Sequence, residues 1–190
     1  MTDLAIDHQK TALVVIDLQT GIVANNTAPY SSSEVITNAS AIANKFRENT
    51  MPVFLVRVNT AKDGSDRLNP ISDKKPFSNV QQSDWADIVP EMGPLPNDIV
   101  ITKHQWGAFY GTELDLQLRR REITTIVLCG ISTNIGVEST ARFAYEYGYN
   151  QIFVEDAMSA MSASEHLATI STILPRIGLV RTTQDVLSSF

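Results

Sequence analysis

The chain has 190 residues, a net charge of −6, and 43% hydrophobic against 19% charged residues. That length suits one domain, residues 1–190, with a sizeable core, and the composition is too apolar for disorder. An acidic chain argues against nucleic acid or an anionic membrane as partner; no apolar run nears the ~20 residues of a membrane span; and a single cysteine excludes an internal disulfide or a cysteine-cluster metal site.

The start, "MTDLAIDHQK", lacks the basic-then-apolar layout of a signal peptide, so a cytoplasmic protein is expected. "TALVVIDL" (11–18) is a short β-branched run, the pattern of a strand buried on both faces. In "SSEVITNASAIANKFREN", Val35, Ile36, Ala39, Ile42, Ala43 and Phe46 recur at helical spacing behind a serine cap. "PVFLVRV" (52–58) is the next strand. Residues 59–97 form a long polar connection, a length that is usually functional or covers something, with a short helix expected at "SDWADIV". "DIVITK" (98–103) reads as a third strand, and "GTELDLQLRRRE" as a helix with Leu114, Leu116 and Leu118 partly toward the core. Then come "TTIVLC" (strand), "NIGVESTARFAYEYGY" (helix), "NQIFVEDA" (strand), "SASEHLATISTILPR" (helix), "GLVRT" (short strand) and "TQDVLSSF" (helix). Strands alternating with helices predict a three-layer α/β/α sandwich on a mostly parallel sheet.

Ligands of such sheets bind beyond the carboxyl ends of the strands. That rule selects Asp17, Arg57, Asn59, Lys103, Cys129 to Thr133, and Asp156. Burial raises the pKa of a carboxylate unless a cation pairs with it, and Lys103 is the natural partner of Asp17. Such a pair either holds and delivers a proton or is a structural ion pair at the rim. Trp106, Phe109 and Tyr110 cluster in one Gly-bounded segment, either walling an apolar pocket or packing against a neighbour. Gly130 and the Ser/Thr/Asn run after it can cap the next helix, whose free N–H groups can face an oxyanion. Ser132 and Thr133 carry hydroxyls but no obvious base. His8, His104 and His166 show no zinc spacing, so no metal and no cofactor is expected. Cys129 could be a nucleophile, but after "TIVL" a lone cysteine is usually a small buried hydrophobe, and it lacks the helix N-terminus that stabilises a thiolate.

Taken in order, "ALVVIDLQ", "ITKHQWGAFYGTEL", "IVLCGISTNIGVESTARFAYEYGY" and "VEDAMSA" resemble the isochorismatase-like hydrolases, also called the cysteine hydrolase superfamily. The resemblance implies a six-stranded Rossmann-like sheet of order 3-2-1-4-5-6, a small-molecule substrate, and a homo-oligomer (dimer or tetramer). It maps an Asp–Lys–Cys triad onto Asp17, Lys103 and position 136, where this chain has glycine. It also implies a cis peptide at Ile131–Ser132, backbone N–H groups of Ser132 and Gly136 turned into the site, and a pocket near Gln19, Thr133 and Asn134. Arg57 is the candidate cation for an anionic substrate, with Arg142 behind it. Isochorismatases of this family that cleave a vinyl ether also carry glycine in the nucleophile slot. By that resemblance Asp17 is the acid, Lys103 tunes it, and Gly136 leaves room for ligand or water. The competing readings are a cysteine-type amidase using Cys129 and a non-catalytic binding protein that keeps the family pocket.

Overall fold

The computed structural model describes residues 5–73 and 83–190. Its centre is one six-stranded sheet, formed by β1 (Thr11–Ile16), β2 (Val53–Val58), β3 (Ile99–Lys103), β4 (Thr125–Ile131), β5 (Asn150–Ser159) and β6 (Leu179–Arg181). Every strand pair is parallel, and the order is β3-β2-β1-β4-β5-β6. All six residues of β1 are buried, as an apolar run covered on both faces requires.

Side chains alternate across a strand, so β1 feeds two cores. Ala12, Val14 and Ile16 pack with Leu114 and Leu118 of α3 (Leu114–Arg120) and with Ala141 and Ala144 of α4 (Glu138–Glu146). Leu13 and Val15 face the other way. They meet Val35, Ala39, Ile42 and Phe46 of α2 (Ser32–Glu48) and Val186 of α6 (Thr183–Leu187). α2 starts with a capping box in which the Glu34 N–H donates to Ser31 Oγ and the Ser31 N–H donates to Glu34 Oε2. No helix among the described residues is long and apolar enough to cross a membrane.

Four expectations need correction. Residues 83–89 are a turn rather than a helix: their backbone groups bind across to the short helix α1 (Thr20–Val23), with Thr20 N–H donating to Asp87 O and Gly21 N–H to Trp85 O. Only glycine fits at position 21, because the Trp85 ring lies where a Cβ would sit. The helix after β4 opens with a π turn, Thr133–Val137, in which Val137 N–H reaches back five residues to Ser132 O. The helix expected over 162–176 is α5 (Ala163–Ala168) followed by a π turn and a 3-10 turn, and Leu116 of α3 is exposed.

Candidate active site

β1 ends at Ile16, and Asp17 follows with φ 53, a left-handed conformation that Asp tolerates better than most residues. Its N–H still donates to Val56 O of β2 at 2.9 Å, so the turn costs no ladder bond. Lys103 ends β3, two strands away, across a gap of about 10 Å at the usual ~4.8 Å strand spacing. Only a long side chain spans that gap. The Lys103 ammonium donates to Asp17 Oδ2 at 2.8 Å and to the Trp106 carbonyl at 2.5 Å. Both side chains are buried, Lys103 almost wholly. Burial pushes the Asp17 carboxyl above the usual range, against the pull of the Lys103 charge. Asp17 Oδ1 has no hydrogen-bond partner among the described residues.

Gly136 closes the third side of this pair. A Cβ built on it would lie 2.9 Å from Ile16 Cγ2, 3.1 Å from Asp17 Oδ2 and 3.2 Å from Lys103 Nζ. The bare Cα therefore does not leave an opening for ligand or water at that point. The carboxylate and ammonium already occupy the space, and glycine is what lets them approach. Two buried hydroxyls hold the turn in place. Thr140 Oγ1 donates to Gly136 O at 2.7 Å and accepts from the Ala108 N–H, while Thr133 Oγ1 lies 2.9 Å from His166 Nδ1. Gly130 allows β1 and β4 to close up here, since a Cβ on it would fall 2.1 Å from Ile16 O. The Ile131–Ser132 peptide is cis, and Ser132 is buried beside it.

The remaining candidates separate. Gln19 is fully buried and its amide is used structurally. It donates to Val58 O and Trp85 O and accepts from Val58 N–H, tying the long connection to β2. Arg57 lies within β2 and donates to Thr102 Oγ1 on β3. The aromatic trio does not wall one pocket. Phe109 is core, stacked on Tyr149 and edge-on to Tyr147, whereas Trp106 and Tyr110 are exposed. Asn134 Oδ1 is buried without a partner among the described residues. Arg142 pairs with Glu138 one turn away, and His104 bonds Asn59 O. Asp156 lies inside β5 rather than at its end, where the register with β4 shifts, and it caps α6.

Cys129 is wholly buried, and burial with the nearby Asp156 charge pushes its thiol to about 12. It packs on the α2 side of the sheet with Val15, whereas Ile16, which meets Gly136, faces the α4 side. Thiol and Asp–Lys pair thus sit on opposite faces. Sequence reasoning missed two residues, Thr140 and His166. His166 recurs with Ile170 and Leu174 at helical spacing, the mark of a histidine on a buried stripe that needs a partner.

Residues 11–185 match the Isochorismatase domain family. The chain is 53% identical over 190 residues to the isochorismatase family protein YwoC of Bacillus subtilis, covering 98% of this chain and 97% of that one. An isochorismatase family protein from Burkholderia thailandensis superposes with a TM-score of 0.93 at 45% identity, covering 97% of both chains. The ureidoacrylate amidohydrolase RutB of Variovorax paradoxus is 36% identical over 105 residues, 55% of this chain and 42% of its own. With the sheet order, the strand-end carboxylate and these relatives in agreement, the chain belongs to the isochorismatase family of hydrolases.

Proposed function

We propose that this hydrolase works without a covalent enzyme intermediate, with Asp17 as general acid, Lys103 as its partner and Gly136 in the position that cysteine hydrolases give to their nucleophile. The substrate class is a small cyclic enol ether such as isochorismate. The supporting observation is the buried Asp17: one oxygen is held 2.8 Å from Lys103, the other has no partner among the described residues, and burial raises the carboxyl's pKa. Asp17 delivers its proton to the terminal enol-ether carbon, leaving an oxocarbenium ion. Water adds to that ion and returns a proton to Asp17. The hemiketal then collapses, breaking the C–O bond to the leaving alcohol and forming a ketone. Lys103 compensates the carboxylate formed midway, until the proton released by the added water returns to Asp17. Covalent catalysis by Cys129 is disfavoured because its thiol is buried on the other face and pushed to about 12.

Turnover of isochorismate in D2O tests this. A deuteron should enter the former enol-ether carbon, Asp17→Asn should lose about 10²–10⁴-fold in rate, and Cys129→Ala should keep its rate. Full activity in Asp17→Asn defeats the assignment. Ureido and carbamoyl amides are the contrasting substrates, given the ureidoacrylate amidohydrolase relative. An enzyme adduct trapped at Cys129 with one of them would return the chemistry to the cysteine.

A further inference from the structure

The hydrogen bond between Thr133 and His166 takes no part in that chemistry, yet it is buried and joins the turn carrying Gly136 to a separate helix. We propose that His166 is a positioning residue, which through Thr133 fixes the 133–137 turn so that Gly136 rests against the Asp17 carboxylate and the Lys103 ammonium. The inference rests on Asp17 and Lys103 being the reacting centre.

Three observations carry it. First, the turn is a π turn, a rare local departure from the α-helical ladder that is frequent at functional sites. It is tied to a separate element near its start, Thr133 to His166, while near its end Thr140 of α4 back-bonds Gly136 O four residues earlier. Second, Gly136 is the part of the turn that lies against the pair, since a Cβ built on it would fall 2.9 Å from Ile16 Cγ2, 3.1 Å from Asp17 Oδ2 and 3.2 Å from Lys103 Nζ. A small slide of the turn is therefore felt directly by the pair. Third, the ring is held from its other side. Tyr30 packs edge-on to His166 at 5.9 Å, and Tyr30 O accepts from Ser159 Oγ at the end of β5. Thr169 Oγ1 donates to Glu138 Oε2 and gives the same two segments a second link.

The 2.9 Å contact also has the geometry of a hydroxyl nucleophile and its base, and it supplies the base that the sequence did not reveal for Thr133. Burial argues for a tether instead. Thr133 is 0% exposed against 6% for Asp17, and its hydroxyl is already committed to the bond that joins the turn to α5.

The experiment compares His166→Phe, His166→Asn and Thr133→Val with the wild type. Phe keeps the ring that packs on Tyr30 but has no Nδ1. Asn returns a polar atom near that position. Val matches threonine in shape without the hydroxyl. His166→Phe and Thr133→Val should lose about 10²-fold in kcat, the cost of a small misplacement, with KM little changed. His166→Asn should recover most of the loss. In the substrate-free protein the Gly136 amide cross-peak should move in His166→Phe and Thr133→Val, which reads the turn even if the enol-ether assignment fails. If His166→Phe does not fold, Thr133→Val carries both readouts. An unmoved Gly136 resonance with unchanged kcat overturns the proposal. So does a substrate-derived mass trapped on Thr133, which would make Thr133 the nucleophile and His166 its base.

Discussion

Asp17 and Asp156 both lie in the carboxyl-terminal part of parallel strands or just beyond them, and both were selected by the same strand-end rule. Their surroundings differ. Asp156 Oδ1 accepts from the Thr183 N–H and the Thr183 hydroxyl, each at 2.7 Å, at the start of α6. Two donors and a helix N-terminus are what an ionised carboxylate wants. Asp17 is more deeply placed, has one cation on one oxygen and no hydrogen bond to the other among the described residues, and burial pushes it toward its neutral form. A carboxylate bonded to a helix start and only partly buried is a fastener. A half-satisfied, desolvated one retains a proton it can give away. Position on the sheet nominates both residues; burial and the kind of donor separate them.

The comparison breaks most visibly at Lys103. Where Asp17 is ionised, Lys103→Met should strand its carboxylate and cost about 3–5 kcal/mol, the usual penalty for removing one member of a buried pair, and where Asp17 holds its proton the cost should be smaller. Adding Asp17→Asn should recover most of that loss in urea denaturation, because the second change removes the stranded charge. If the double variant is as unstable as the single one, Lys103 stabilises through its stem and not through Asp17. Asp156→Asn is the matching change in the fastener. It keeps the Oδ1 acceptor but removes the charge beside the start of α6, which should cost about 0.3–1 kcal/mol, the range for a charge at a helix N-terminus, and should leave turnover unchanged. A fall in turnover without a fall in stability would show that Asp156 belongs to the site after all.

Much of the fold was legible because its signals are local. Six strands announced themselves as β-branched runs, and α2 by its spacing behind Ser31. Asp17 and Lys103 were legible for the same reason, since each closes a strand. What failed depended on distant partners. "SDWADIV" was read as a helix, but its carbonyls bind residues 20 and 21, more than sixty positions earlier. Trp106, Phe109 and Tyr110 looked alike in sequence. Only Phe109 meets Tyr147 and Tyr149, and that choice is made by the connection between α4 and β5. Gly136 was expected to open space; the crowding of Ile16, Asp17 and Lys103 around it comes from three strands converging, which no local pattern encodes. His166 was set aside for lack of a metal spacing, although its partner lies 33 residues away and is a hydroxyl.

The smallest effect expected is in the pH profile, and its sign separates the two aspartates again. A general acid must hold its proton, so kcat/KM should be level on the acid side and fall as pH rises through the Asp17 pKa. Burial raises that pKa, which carries the falling limb to higher pH than an exposed aspartate would give. Lys103 opposes the shift, so Lys103→Met, in whatever activity it keeps, should move the limb further up. Asp156→Asn should not move it, because that charge faces Thr183 and the Cys129 thiol. A limb that follows Asp156 and ignores Lys103 would reverse the assignment of the two carboxylates.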